Sequence, residues 1–300
     1  MKQLLKLSAA SLLVVGALSV QASTLSDVQA KGHVSCGVSK GLAGFSSADS
    51  SGTWTGIDVD VCRAVAAATL GDATKVKFVP LTAKERFTAL QSGEIDMLSR
   101  NTTWTITRDA SLGLNFAGVN YYDGQGFMVK SSLGVSSAME LSGAAICIQA
   151  GTTTELNLAD WGKANGIEYN SVVSDTNAQT LTNYDAGRCD VLTTDASGLY
   201  SMRAGANDPS EHVVLPEIIS KEPLGPVVRQ GDDQWFNIVR WSLNAMITAE
   251  EIGVNSGNVD DVSNNPERER LMGRSGSTHE YVGLTPDWTY QIVKQVGNYA

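Results

Sequence analysis

The chain has 300 residues, of which 42% are apolar types, and it carries a formal net charge of −10 at pH 7. This acidic balance argues against nucleic-acid phosphates or anionic membranes as the main binding partners. The length and apolar content fit one large or two moderate globular domains. The four cysteines include no C-x-x-C pair and the chain has three histidines, so no metal site is predicted.

The first 22 residues have the pattern of a secretory signal. Lys2 and Lys6 precede an apolar run from Leu7 to Val20, and Val20-Gln21-Ala22 supplies the small-x-small sequence that a signal peptidase cleaves. The run is too short to predict a membrane span, and the expected cut has no cysteine to carry a lipid anchor. We therefore predict that residues 1–22 are removed and that an exported, soluble protein remains. Its even number of cysteines favours two disulfides.

Strand and helix patterns alternate along the chain. In the first half, the sequence predicts strands at His33–Val38, Lys75–Leu81 and Ile95–Asn101, with helices at Asp58–Leu70 and from Thr82 to Gln91. In the second half, it predicts strands at Ala145–Gln149, Glu168–Ser174 and Asp190–Asp195, with helices from Thr153, at Asn177–Ala186 and at Asp232–Glu251. Such alternation predicts an α/β fold in which crossover helices connect parallel strands.

Two segments of the chain resemble each other. Phe87–Asn101 aligns without gaps with Leu181–Asp195, and both have a helix–glycine–strand pattern. Units this short look alike even when they are unrelated. The alternative is that the chain forms two lobes of similar topology, each with a polar residue at the carboxyl end of a strand. Ligands of open α/β sheets bind at that edge, so two such edges facing each other would form a cleft.

Short apolar stretches that look extended predict where the chain crosses between the lobes. They lie near residues 126–130 and 224–229. We accordingly predict a discontinuous first lobe, made of residues 24–127 and 228–300, and a second lobe made of residues 131–223.

The most informative motif runs from Asn101 to Asp109, directly after a predicted strand. It places threonine hydroxyls, including that of Thr103, before Arg108 at the start of a short helix. Hydroxyl and backbone N–H groups can donate to a carboxylate, and a guanidinium can bind both of its oxygens, so the motif fits a carboxylate ligand. A surface loop in which Arg108 pairs with Asp109 explains the same residues equally well.

Two further motifs place polar groups at predicted helix starts. Gly151 permits close backbone approach, and Thr152-x-x-Glu155 is a capping box that could bind an anion or simply begin a helix. No Gly-Lys-Ser/Thr sequence follows, so nucleotide binding is disfavoured. Asp195 ends a predicted strand, where its carboxylate could pair with an ammonium group or cap the next helix.

These motifs resemble those of the periplasmic solute-binding proteins of polar-amino-acid ABC importers, and in particular the general L-amino-acid-binding group. The resemblance runs from about Leu25 to Tyr299 and is carried by GIDVDVCRAVAA, VPLTAKERFTALQSGEID, SRNTTWT, NYYDGQGF, QAGTTTELNLAD, DAGRCD and LPEIISKEPLGPVVRQGDDQWF. It implies a type II periplasmic-binding-protein fold, in which two α/β lobes with parallel-rich sheets close on the ligand about a two-strand hinge. It also implies that chains of this family continue beyond the position of Ala300.

The resemblance implies a role for each site residue. Arg108 matches the arginine that holds the ligand α-carboxylate, and Asp195 matches the acid that binds the α-ammonium group. The groups that would assist at the carboxylate, from both lobes, are Asn101, Thr103, Thr152 and Thr153.

Three positions depart from the family pattern. Ser39 and Leu42 stand where relatives often have an acid and a stacking aromatic, and Ala83 stands where some have an aromatic. These departures imply a wider side-chain pocket and broad specificity. In the implied topology the cysteines pair within lobes, Cys36 with Cys62 and Cys147 with Cys189, because a bridge between lobes would oppose closure.

The implied function is the capture of free L-amino acids in the periplasm and their delivery to the transmembrane permease subunits of an ABC importer. The protein would act as a monomer, without cofactor, metal or catalysis. The alternatives are a ligand sensor for a chemoreceptor and a catalytic relative such as cyclohexadienyl dehydratase. An enzyme is disfavoured because the three histidines lie outside every cleft motif and because the motifs place no second acid beside Asp195.

Overall fold

The computed structural model describes residues 23–300, and the predicted signal at residues 1–22 lies outside the described residues. The helices are α1 Thr24–Lys31, α2 Ile57–Leu70, α3 Arg86–Ser92, α4 Thr153–Asn165, α5 Asn177–Asp185, α6 Ala196–Ala204, α7 Asp233–Glu251, α8 Pro266–Leu271, α9 Thr278–Val282 and α10 Trp288–Gln295. The strands are β1 Val34–Ser39, β2 Ser47–Ala48, β3 Trp54–Thr55, β4 Val76–Leu81, β5 Met97–Leu98, β6 Leu114–Phe116, β7 Tyr121–Asp123, β8 Gln125–Lys130, β9 Ala145–Gln149, β10 Asn170–Ser174, β11 Val191–Asp195, β12 His212–Val214, β13 Glu222–Leu224 and β14 Val227–Arg229.

The predicted elements are all present, with small changes at their ends. The largest change is in the strand predicted at Ile95–Asn101, which is assigned only at β5. It stops early because the chain turns at Asn101, whose φ of +34° is the one positive value outside glycine within residues 23–300. The helix predicted from Thr82 begins at Arg86, and the capping box before it is formed, since Thr82 and Glu85 exchange hydrogen bonds of 2.9 and 3.2 Å.

The chain builds two five-stranded sheets of matching arrangement. The first has the order β4-β1-β5-β14-β6 and the second β10-β9-β11-β8-β12. In each sheet the first three strands are parallel and the fourth is antiparallel to both of its neighbours. The units α3–β5 and α5–β11 therefore occupy equivalent places, so the similarity between Phe87–Asn101 and Leu181–Asp195 reflects two lobes of similar topology.

The chain crosses between the lobes beside the paired strands β7 and β13, in which Asp123 lies opposite Glu222. The crossings predicted near residues 126–130 and 224–229 are therefore misplaced. β8 is an inner strand of the second sheet and β14 an inner strand of the first. The apolar runs that suggested a hinge are apolar because they are buried in the two sheets, whereas β7 is largely exposed.

Each lobe has its own apolar core. In the first, α7 buries Trp235, Val239 and Leu243 with α2 and α10 against the sheet. In the second, Phe127 of β8 and Ile146 of β9 pack in one cluster with residues of α4 and β11. Within residues 23–300, no helix is both long enough and apolar enough to cross a membrane.

Each disulfide lies within one lobe. Cys36 of β1 is joined to Cys62 of α2, and Cys147 of β9 is joined to Cys189, which precedes the neighbouring strand β11. All four cysteines are used in these two bridges, so neither bridge links one lobe to the other. The predicted pairing is the one that the structure contains.

Removing the second bridge should destabilise the protein. We expect the double variant Cys147→Ala/Cys189→Ala to lose about 4 kcal/mol of unfolding free energy, because the bridge joins positions 42 residues apart and restricts the unfolded chain. Urea unfolding would measure the loss, with Ser171→Ala on the exposed strand β10 as the control. An unchanged urea midpoint for the double variant would contradict this expectation.

Candidate ligand-binding site between the two lobes

Arg108 lies in a short π-helical turn, Thr107–Ser111, that follows the turn at Asn101. Its side chain is buried, its Nη1 donates to the carbonyl oxygen of Thr103 at 2.9 Å, and its guanidinium carbon lies 5.2 Å from the centre of the Phe87 ring. Asp109 instead accepts a hydrogen bond from the indole of Trp104. The interpretation as a surface loop with an Arg108–Asp109 pair is therefore wrong.

Arg108 is a cation without an anionic partner in contact. Within residues 23–300, none of the ion pairs involves its guanidinium. Burial lowers the pKa of Arg108 to about 10, while the more distant charges of Glu222 and Asp195 act in the opposite direction. The group therefore remains protonated at neutral pH and presents a buried positive charge.

Asp195 is the acid that can provide the opposite charge when a cation binds beside it. It ends β11 in the second lobe, is 8% exposed, and makes no side-chain capping bond to the helix α6 that follows. Burial, and then the negative charges of Glu222 and Asp123, raise the pKa of Asp195 to about 8. Asp195 therefore does not cap α6. Its surroundings favour the neutral carboxyl group, and the ionised form becomes favourable only when a cation approaches.

The start of α4 brings the second lobe against the first. The hydroxyl oxygens of Thr103 and Thr153 lie 3.4 Å apart across the cleft. The predicted capping box is not formed, because the Thr152 hydroxyl donates to the Gln149 carbonyl oxygen at 2.7 Å and makes no cap bond. Glu155 instead accepts from the backbone N–H of Gly151 at 2.7 Å.

The hydroxyl protons of this turn are already committed. Thr152 donates to a carbonyl oxygen, and Thr153 donates to the carboxylate of Glu222 at 3.0 Å. A hydroxyl has one proton, so neither threonine side chain can also donate to a ligand carboxylate. The donors that α4 offers to an anion are consequently the backbone N–H groups of its first turn.

The lobes touch through a close backbone approach and polar contacts. Gly151 has a φ of +75°, and a Cβ at this position would lie 3.0–3.3 Å from atoms of Lys84 in the first lobe. Glycine is therefore required there on both conformational and steric grounds. The ammonium of Lys84 also pairs with Asp175 at 2.8 Å, with both side chains exposed.

The remaining predicted site residues have different surroundings. The backbone N–H of Asn101 donates to the buried Asp58 at 2.6 Å, and its own Oδ1 is buried without a hydrogen-bond partner among residues 23–300. Ser39 lines a cavity of about 80 Å³ between the lobes. Leu42 packs with Phe45 in a small apolar cluster, and Ala83 is buried, but neither lines that cavity.

Glu222 is a site residue that the sequence analysis missed. It is buried on β13 and accepts hydrogen bonds from Thr153, from Asn157 Nδ2 at 2.6 Å and from the Ser220 hydroxyl at 2.6 Å. The expectation that no second acid approaches Asp195 is therefore wrong. Only the pairing of β13 with β7 brings this acid to the cleft, so no local sequence signal could have identified it.

Two buried arginines were also missed, Arg86 at the start of α3 and Arg100 after β5. The charges of Arg108 and Asp195 act on the pKa of both arginines, and the Arg86 guanidinium lies over the same Phe87 ring as that of Arg108. Both arginines lie inside the family motifs VPLTAKERFTALQSGEID and SRNTTWT. Most arginines in proteins are solvent-exposed, so the residue type alone did not indicate that these two are buried.

The arrangement suits a small molecule that carries both charges. A buried cation of one lobe and a buried acid of the other are near enough to act on each other's pKa, and Thr103 and Thr153 bring the two lobes together beside them. Within residues 23–300, no cluster of three or more histidine, cysteine or acidic residues could hold a metal ion.

Two α/β lobes of matching topology with a charged cleft between them define a type II periplasmic binding protein. The sequence pattern of the bacterial extracellular solute-binding proteins, family 3, matches residues 34–255, and the chain belongs to that family. This membership confirms the resemblance, the fold class and the assignment to an exported class of binding protein.

Relatives of known description are similar over nearly the whole chain. The general L-amino acid-binding periplasmic protein of Rhizobium johnstonii is 61% identical, over 97% of this chain and 86% of the relative. The glutamate/glutamine/aspartate/asparagine-binding protein of Rhodobacter capsulatus is 55% identical, over 96% and 85%. A solved periplasmic binding protein of Brucella ovis with glutathione bound is 58% identical, with a TM-score of 0.90 over 93% of this chain and 89% of that one.

Proposed function

We propose that this protein captures free L-amino acids in the periplasm and delivers them to the transmembrane subunits of an ABC importer. The observation that carries the proposal is the buried pair of Arg108, a cation, and Asp195, an acid that ionises when a cation approaches, which two different lobes contribute to one cleft. An α-amino acid has a carboxylate and an ammonium group on one carbon atom, and each would meet its counter-charge there. The descriptions of the relatives support this ligand class, and glutathione also has such an α-amino acid end.

The surrounding groups would orient the carboxylate. Arg108 binds it through the N–H groups that are not used on the Thr103 carbonyl oxygen, while the Thr103 hydroxyl donates to Thr153 and holds the two lobes together. The backbone N–H groups at Thr152 and Thr153 approach from the second lobe, and the helix dipole of α4 adds a favourable field. Asn101, whose backbone is held by Asp58, places its free Oδ1 where an ammonium group can donate to it.

Ligand capture would proceed by a hinge motion about the β7–β13 pair. The contacts that hold the lobes together are few and polar, and the Lys84–Asp175 pair is solvent-exposed on both sides. Exposed pairs of this kind contribute at most about 1 kcal/mol, so the lobes can separate at small cost. A ligand that bridges Arg108 and Asp195 would stabilise the closed arrangement.

The protein would release its ligand unchanged. Glu222 is the second acid of the cleft, but three donors already bind its carboxylate, which keeps it from acting as a mobile proton carrier. The relatives named above are all binding proteins, and we propose the same for this chain, acting as a monomer. Recovery of unaltered ligand after prolonged incubation would test this part of the proposal.

A thermal-shift panel of the common L-amino acids, their D-isomers and their α-amides tests the function directly. True ligands at about 100 times their Kd should stabilise the protein by about 2.7 kcal/mol, because only the folded state binds them. We expect several unlike L-amino acids to stabilise it, and D-isomers and α-amides to fail, since each misplaces or removes one charged group. Equal stabilisation by an amino acid and its α-amide would contradict the proposed role of the carboxylate.

A further inference from the structure

The cleft contains more buried positive charge than one α-carboxylate requires. Arg86 is 2% exposed, its Nε has no hydrogen-bond partner among residues 23–300, and no ion pair or side-chain hydrogen bond of its guanidinium is present there. Arg100 is also 2% exposed, and its one side-chain hydrogen bond runs from Nε to the carbonyl oxygen of Leu81 at 3.0 Å. Charged side chains are almost never buried so fully unless a counter-charge pairs with them.

Arg86 adjoins the site of Arg108. The guanidinium carbons of Arg86 and Arg108 lie 4.7 and 5.2 Å from the centre of one ring, that of Phe87. Burial, followed by the positive charges of Arg108 and Arg100, lowers the pKa of Arg86, and Asp195 is the acid that acts against this. Asp195, whose own pKa is raised, is the one acid that acts on Arg86, and no acid among residues 23–300 contacts the Arg86 guanidinium.

The contact with Phe87 does not satisfy Arg86. A ring attracts the flat face of a guanidinium, whereas the five N–H donors point outward in its plane. The planar donors of Arg86 therefore remain open to an acceptor even with the ring in place. A carboxylate matches this geometry, because its two oxygens can accept two parallel N–H bonds.

Arg100 faces space that a ligand could occupy. It lines the cavity of about 80 Å³ between the lobes, together with Gln149, Thr176 and Asn177 of the second lobe. The cavity is thus polar on both sides and has a cation on one of them. One water molecule takes about 30 Å³ in the liquid, so a cavity of about 80 Å³ has room for a group of a few heavy atoms, such as the end of a ligand side chain.

We infer that Arg86 and Arg100 form a second anion-binding subsite, which takes the distal carboxylate of a ligand whose α-amino acid end lies between Arg108 and Asp195. The inference rests on the proposed function and names its preferred substrate class, α-amino acids and small γ-linked peptides with a second carboxylate. It supplies the side-chain discrimination that no sequence motif revealed. Neutral amino acids still bind through the shared α-groups, but they leave this subsite unpaired.

Calorimetry on the wild-type protein tests the subsite without any variant. Glutamate should bind at least about tenfold more tightly than glutamine or glutamate γ-methyl ester, which keep the shape and lose the distal charge. Glutathione and its glycyl amide form a second pair, which shows whether the subsite also takes the carboxylate of a longer γ-linked ligand. Equal affinity within both pairs overturns the inference and leaves the proposed function standing, whereas no binding of any α-amino acid overturns both.

Two variants locate the effect. Arg86→Gln and Arg100→Gln should each reduce the ratio of glutamate to glutamine affinity to less than about threefold, with glutamine affinity itself changed by less than about threefold. Arg188→Gln, at an exposed arginine of the second lobe, is the matched control and should keep the wild-type ratio. An equal loss of affinity for both ligands in Arg86→Gln would show that Arg86 acts on the shared groups or on the fold, and would overturn its assignment.

Discussion

Arg108→Ala should weaken binding of every L-amino acid ligand by at least about thirtyfold. Removal of one partner of a buried charge pair costs about 2–5 kcal/mol, and about 1.4 kcal/mol corresponds to a factor of ten in affinity. Arg108 is buried and is held in position by a hydrogen bond to Thr103 and by the ring of Phe87. The site should therefore rearrange little in the variant, and the loss of affinity should not be compensated. Isothermal titration with glutamate, glutamine and leucine would measure it.

The stability of the ligand-free variant separates a binding defect from a folding defect. Because Arg108 has no ion pair among residues 23–300 and lies near two other buried cations, its removal should change the melting temperature by less than about 4 °C, the equivalent of about 1 kcal/mol. Arg188→Ala is the control for a surface arginine and should leave affinity intact. Affinity near that of the wild type in Arg108→Ala would remove this residue from the site.

Asp195→Asn should abolish most binding and at the same time stabilise the ligand-free protein. The amide keeps the shape of the carboxylate but cannot balance the charge of an ammonium group, so the loss of affinity should match that of Arg108→Ala. The stability gain follows because the wild-type carboxyl, with a pKa of about 8 when folded, resists ionisation in its buried position. Asparagine does not ionise, so the variant avoids this cost. Wild-type Asp195 thus lowers stability while it serves ligand binding, as is common at binding sites.

The pH dependence of that gain has a definite sign. The folded pKa of Asp195 lies above the ordinary value of 3.8 expected for the unfolded chain, so the free energy of unfolding falls as pH rises through this window. The stability difference between Asp195→Asn and the wild type should therefore be small near pH 4, grow with pH, and level off above about pH 8. From these two pKa values, we expect a gain of up to about 6 kcal/mol at the plateau.

Urea unfolding of both proteins in the absence of ligand, at several pH values, would measure this curve. Asp185→Asn, at a partly exposed acid in the last turn of α5, is the matched control. A stability difference that is independent of pH would show that Asp195 does not titrate in this range. Undiminished binding by Asp195→Asn would exclude it as the partner of the ammonium group.

The sequence by itself determined the class of fold and the local positions of the main site residues. Helix starts such as Thr82-x-x-Glu85 and the regular alternation of strands and helices are local signals, and the structure places the elements where they predicted them. The similarity of Phe87–Asn101 and Leu181–Asp195 also indicated two matching lobes. Local patterns sufficed because hydrogen bonding within helices and apolar periodicity depend on residues close together in the chain.

Only the tertiary structure decided which charges meet in the cleft. Arg86, Arg100 and Glu222 lie in segments whose local patterns are those of an ordinary helix start, a strand end and a crossing strand. Arg100 lines a cavity shared with the second lobe, and Glu222 meets Thr153 and Asn157 through the pairing of β13 with β7, contacts between residues far apart in sequence. The crossing point was misplaced for the same reason, since an apolar stretch shows that a strand is buried but not in which sheet it pairs.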